Sequence, residues 1–183
     1  MVEIKADLAR RTGRGVNNIV AGIGLWIVFG ILGILLPDSP KKALIYLFGA
    51  GLLFPLGLLV GSLMKLDIFA KGNPLSHLPG YLGGLQILFI PLMVGAYFAS
   101  PNMVPWYLGV LVGAHFLPFG WLYDSKAYTI GAVMISLLSG LVGWLFADAA
   151  FVVAPFVVAS CLVLLAVGLA YENKMPQKQL LAH

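Results

Sequence analysis

Charge is what this sequence has least of. Only 10% of its 183 residues are Asp, Glu, Lys or Arg, whereas a soluble domain carries about 25% because its surface must hold water. A water-covered globule is therefore excluded, and 61% hydrophobic residues place the chain in lipid. Cysteine is nearly absent: Cys161 stands alone inside an apolar stretch, which excludes an intramolecular disulfide and a cysteine-built metal site. The sequence has no His-Glu-x-x-His zinc motif, no phosphate-binding glycine loop and no nucleophile elbow, so no catalytic residue, metal or cofactor is assigned. The formal charge of +4 does not point to nucleic acid, because the basic residues lie in short groups beside apolar spans and form no basic face.

What the chain has is apolar length. Blocks of about 20 residues recur, each long enough as a helix to cross a hydrocarbon core of roughly 30 Å. Breaks at 37–42, 65–80, 99–105, 123–126 and 146–149 leave six expected spans, at 16–36, 43–64, 81–98, 105–123, 127–146 and 150–171. The first block is too long for a signal peptide and lacks a small-x-small cleavage pattern before Pro37, so it reads as an uncleaved span. The expected fold is an all-α bundle of six transmembrane helices (16–171), with a basic N-terminal segment (1–15) and a short tail (172–183). Placing Lys5, Arg10, Arg11, Arg14, Lys65, Lys71, Lys126, Lys174 and Lys178 on one side leaves only Lys41 and Lys42 on the other. That asymmetry puts both termini in the cytoplasm. Tyr46, Tyr97, Trp106, Tyr107 and Trp144 then mark the outer boundary, with Tyr81, Trp121, Tyr123, Tyr128 and Tyr171 at the inner one.

Internal likeness is faint. Phe54-Pro55-Leu56-Gly57 answers Leu117-Pro118-Phe119-Gly120, and Pro155 falls in the sixth span, so three repeated hairpins are one origin and chance recurrence of Pro and Gly is the other. Gly57-x-x-x-Gly61, Gly80-x-x-x-Gly84 and Gly109-x-x-x-Gly113 offer faces for close helix approach. Packing within the chain is the first use of such faces, a homodimer contact the second. Mid-span Trp26 is a further packing marker, its indole N–H needing an acceptor.

Polar residues at depth carry the functional question. His115 lies about 12 Å along its helix from Tyr123, and Leu111, Val112, Pro118 and Phe119 on its own face offer it no polar side chain. Its partner must come from another helix, with Gln86, the one amide deep in a span, as first candidate and a proline-freed carbonyl as second. Pro118 frees the carbonyl of Ala114 and Pro91 that of Ile87. Ionisable residues inside a membrane mark pathways or ligand sites; the competing explanation is a helix fastener, worth roughly 0.6 kcal/mol. Trp121, Tyr123, Asp124 and Lys126 form either a cytoplasmic gate or an ordinary belt and solvated turn. The proline-rich loop 72–80, with Asn73, either turns the chain or folds beneath the bundle. Asn17 and Asn18 line the same vestibule or cap the first span, Asp148 is read as the N-cap of the sixth span, and Glu172 as an exposed terminus.

The segment Gly113-Ala-His-Phe-Leu-Pro-Phe-Gly-Trp-Leu-Tyr123, with Asn73-Pro-Leu75 and Leu53-Phe-Pro-Leu56, resembles a family of small multi-pass bacterial membrane proteins defined by a domain of unknown function. The resemblance implies a bacterial cytoplasmic membrane and supplies no activity. Two function classes follow from the residues. One is a polar intramembrane cavity, with His115, Gln86, Trp121, Tyr123, Asp124 and Asn73 as candidate site residues, that binds or moves a small solute, proton or lipid headgroup. The other is a structural or accessory membrane protein acting through packing or a partner protein. An enzyme ranks third, since a lone buried histidine without a carboxylate nearby in sequence is poor ground for acid–base chemistry. Membrane lipid is the expected partner throughout.

Overall fold

The computed structural model describes residues 1–37 and 39–175, and every regular element among them is helical. Lys178 and the rest of the expected tail beyond Met175 lie outside the described residues. The first helix, α1 (Val2–Thr12), buries Leu8, Ala9 and Thr12 against the bundle. It stops because Gly13, Arg14 and Gly15 all adopt the left-handed conformation, with φ of 57°, 54° and 70°, which a right-handed helix cannot absorb. Glycine takes that conformation freely; Arg14 does not, and its side chain meets firm restraints described below.

The bundle consists of α2 (Val16–Leu35), α3 (Pro40–Ala50), α4 (Leu53–Leu63), α5 (Leu78–Gly84), α6 (Ile90–Ala99), α7 (Met103–Tyr123), α8 (Lys126–Leu145) and α9 (Ala150–Lys174). Five helical stretches are long and apolar enough to cross a membrane, six if the bent pair α3–α4 is taken as one. Expected spans two and three are each broken. The bend of 44° between α3 and α4 falls where Pro55 has no N–H for the carbonyl of Gly51. Span three tightens into a 3-10 stretch at Leu85–Phe89, where Pro91 likewise denies a donor to Ile87. Pro118 and Pro155, by contrast, lie inside continuous helices.

Helix α9 packs on α2, α7 and α8, and α7 and α8 form the most extensive antiparallel pair. Small residues set that pair's spacing. A Cβ on Gly109 would meet Ser139, one on Gly113 the Ser136 backbone, and one on Gly120 Thr129; the Ser136 hydroxyl donates to the Val110 carbonyl at 3.2 Å. Gly57 accommodates α2 in the same way, and Gly61 makes room for Ile68 and the Asn17 amide. A Cβ at Gly57 would strike the Asn18 side chain, and Asn17, fully inside, donates to the Gly57 carbonyl at 2.9 Å. Asn17 therefore fastens α2 to α4 and neither lines a vestibule nor caps its helix. Gly80 and Gly84 face open space, so the third glycine motif packs on nothing among the described residues.

Several boundary residues are more deeply placed than their sequence suggests. Trp144, Tyr81, Trp121 and Tyr171 are exposed, as a belt requires, but Tyr46, Tyr123 and Tyr128 are buried. The Tyr46 hydroxyl lies 2.5 Å from the Phe29 carbonyl and 2.6 Å from that of Phe151. Pro155 explains the second contact: lacking an N–H, it leaves the Phe151 carbonyl without its helical donor, and Tyr46 supplies one. Lys42, one turn away, is also buried and donates to Gly33 in the last turn of α2 at 3.0 Å, where carbonyls have no intrahelical partner. Asp148 is exposed in a 3-10 turn and does not cap α9. The side-chain cap belongs to Ser125, which accepts from the Tyr128 N–H at the start of α8.

Candidate functional site: a histidine–glutamine pair at depth

His115 sits on the flank of α7 that faces the broken helix α5–α6, between the fully packed side turned to α8 and the exposed side of Ala114, Leu117 and Trp121. Gln86 comes from the 3-10 stretch of that broken helix. The two meet: Gln86 Nε2 is 2.6 Å from His115 Nδ1, which also lies 2.7 Å from the Val112 carbonyl. Both side chains are half-buried.

A single ring nitrogen cannot use both contacts at once. When Nδ1 carries no proton it accepts from the Gln86 amide, and Nε2 bears the N–H; when Nδ1 is protonated it donates to Val112, and Nε2 becomes an acceptor. Nδ1 has a partner in either tautomer. His115 Nε2 and Gln86 Oε1 take no part in those two contacts, and the Leu111 backbone also bonds the imidazole. Two aromatic rings wall the imidazole, Phe116 with its centroid 4.3 Å away and Phe119 edge-on at 5.8 Å. A metal ion would need further donors, and no group of three or more His, Cys, Asp or Glu side chains gathers among the described residues.

The other four candidate residues are distributed differently. Tyr123 joins the pair indirectly through Phe119, which stacks on Tyr123 and Tyr128 at 6.0 and 5.7 Å. Trp121 turns outward and is engaged by α1: Lys5 Nζ lies 3.6 Å from its ring centroid and donates to its carbonyl at 2.6 Å. Asp124 ends α7 in the left-handed conformation, with φ of 49°, and is exposed, as an ordinary turn residue. Asn73 is buried against α1, donating to the Ile4 carbonyl and to Asp7, each at 2.9 Å, while its Oδ1 accepts from the Leu75 N–H. Arg11 binds Asp67 through two nitrogens, at 2.9 and 2.5 Å, and reaches the Lys71 carbonyl at 3.0 Å. The loop of 65–77 is thus strapped to α1.

Sequence reasoning missed a second polar cluster. Arg14 donates from Nη1 to Asn173 at 2.5 Å, and its Nε lies 3.7 Å from Glu172. Glu172 is only 12% exposed and accepts from the Ala127 N–H at 2.9 Å, in the first turn of α8. It is no exposed terminus. The Tyr128 hydroxyl closes the cluster on the Arg14 carbonyl at 2.8 Å. The available signal was Gly13-Arg14-Gly15: an arginine between two glycines at a helix end marks a left-handed turn whose charge is aimed at something.

No curated protein and no solved structure matches this chain. A family model does, over residues 1–172, a stretch that takes in α1, the His115–Gln86 pair and Glu172. Matched over nearly its whole length, the chain belongs to DUF7010, a family of unknown function.

Proposed function

We propose that this protein crosses a bacterial cytoplasmic membrane six times, with both termini inside, and that it binds or passes a small polar group, whether solute, proton or lipid headgroup, at the His115–Gln86 pair. The observation that carries this reading is the pair of polar atoms, His115 Nε2 and Gln86 Oε1, that the Gln86–His115 and His115–Val112 contacts leave over. At their depth hydrocarbon cannot satisfy them, and a ligand or water chain can. Topology is supported by the contact of Arg14 with Asn173 and Glu172, which brings the start of α2 and the end of α9 to one side, and by the nine basic residues that would otherwise have to be translocated. With Cys161 replaced by Ala, single cysteines at Ser39 and Asn102 are expected to react with an impermeant maleimide from outside, and cysteines at Ser76 and Lys178 only after lysis. The reverse pattern rules the topology out.

The pair is tested by His115→Gln and His115→Leu in vesicles loaded with a pH-sensitive dye, with native mass spectrometry of the same preparations for retained lipid. Both variants are expected to fold and to lose proton flux or bound lipid by about tenfold or more. One observation favours the accessory reading instead: the 2.6 Å contact itself fastens α5–α6 to α7. On that reading Gln behaves as wild type, and Leu loses stability with no change in flux or lipid.

A further inference from the structure

We infer that the ligand of this pair is a neutral amphiphile, a carbonyl- or hydroxyl-bearing head on an apolar tail, that reaches it sideways through the hydrocarbon and not from water; this rests on reading His115 and Gln86 as a binding site.

Three observations converge on that chemistry. The first is charge: from Gly72 to Tyr123 the sequence contains no Asp, Glu, Lys or Arg, so the two walls of the seam, α5–α6 and α7, bring no counter-ion. A phosphate, carboxylate or ammonium about 12 Å from the inner end of α7 would be desolvated without compensation. The second is access. Only Met93 and Ala96 are buried along α5–α6, while Ile87, Leu88 and Ile90, which flank Gln86, are 66%, 72% and 55% exposed. The side chains around the pair thus present a surface made for acyl chains, and a tail would lie along it.

The third observation is the geometry of the ring. Because Nδ1 accepts from the Gln86 amide in one tautomer and donates to Val112 in the other, with the Gln86 amide then turned to present Oε1 in place of its N–H, His115 can offer at Nε2 either a donor or an acceptor without leaving Nδ1 unsatisfied. A donor suits a carbonyl and an acceptor suits a hydroxyl, so one site accommodates a head in either form. Phe119, edge-on to the imidazole and only partly buried, gives a flat or apolar head a further contact. A fixed ammonium or carboxylate would have served only one polarity.

The test uses the full chain in phosphatidylcholine nanodiscs and reads the ligand-dependent rise in unfolding temperature. The probes are a decyl-tailed, fully substituted benzoquinone for the carbonyl and dodecanol for the hydroxyl, with the tail-less quinone and free phosphocholine as controls. A saturable rise with at least one tailed probe is expected, weakened about tenfold or more in apparent Kd by His115→Leu and by Gln86→Leu and absent with both controls. Should either leucine variant fail to fold, His115→Phe keeps the ring contacts without the nitrogens and carries the comparison. Equal stabilisation of wild type and variants by tailed probes is unspecific partition and overturns the inference. Binding of the tail-less quinone or of phosphocholine, lost in His115→Phe, overturns it too but leaves the pair a ligand site. No saturable effect from any probe removes both.

Discussion

Gly113→Leu is expected to lower the unfolding temperature of the purified protein by about 10 °C or more, on a scale of about 2–4 °C per kcal/mol for a chain of this size. The reason is what a side chain would meet. A Cβ at Gly113 would lie 2.5 Å from the Ser136 backbone nitrogen and 2.8 Å from the Ala132 carbonyl. Backbone in a helix cannot rotate aside, so α7 and α8 must separate, and the Ser136–Val110 hydrogen bond and the Gly109–Ser139 and Gly120–Thr129 contacts open with them. Overpacking costs about 1–3 kcal/mol when side chains can adjust, and more when they cannot. Gly131 supplies the control, since it is buried on α8 but a Cβ there would meet only the Leu165 side chain, its two methyls at 3.3 and 3.4 Å and its Cβ at an ordinary 3.5 Å. Gly131→Leu is therefore expected to cost clearly less, because Leu165 can change rotamer. Thermal denaturation of both variants in one detergent decides it, and equal losses would remove the α7–α8 contact from the account.

The same glycines show where reading the sequence succeeds and where it stops. Apolar length and punctuation are local properties, so the ends of α7, α8 and α9 could be placed from residues alone. The meeting of His115 with Gln86 was legible for a related reason: two polar side chains at similar depth in neighbouring spans have few other places to go. Partner identity across the bundle is not local, and there the reading failed. The three glycine motifs look alike as strings, yet Gly109 and Gly113 face α8, Gly57 faces α2, Gly61 faces Ile68 and Asn17, and Gly80 and Gly84 face nothing among the described residues. Tyr46 and Lys42 have the composition of a boundary, yet Lys42 serves the Gly33 carbonyl in the last turn of α2 and Tyr46 reaches the Phe151 carbonyl, a demand created more than 100 residues away by Pro155. Arg14 and Glu172 stand at opposite ends of the chain, and only the closing of α2 against α9 joins them.

That junction carries the second large effect. Glu172→Leu is expected to destabilise the protein by about 4 kcal/mol, from about 3 kcal/mol for stranding a buried charge and about 1 kcal/mol for removing an acceptor from the first turn of α8. The arginine side chain is 10% exposed, too little for water to replace the carboxylate, and Asn173 alone offers no charge. Arg14→Gly is expected to cost less. It removes the buried cation with its partner's need for it partly met by the Ala127 N–H, it leaves the backbone carbonyl that Tyr128 binds, and it relieves a φ of 54° that glycine adopts without strain. In the double variant the stranded charge no longer exists, so Glu172→Leu added to Arg14→Gly should cost only the lost α8 contact, leaving a coupling of about 3 kcal/mol. Chemical denaturation of the four proteins in the same mixed micelles measures that coupling directly. Strict additivity would mean that the 3.7 Å separation of Arg14 from Glu172 is mere proximity and that the polar contacts of Asn173 and Tyr128, with the packing of α9 on α2, hold this end of the bundle without it.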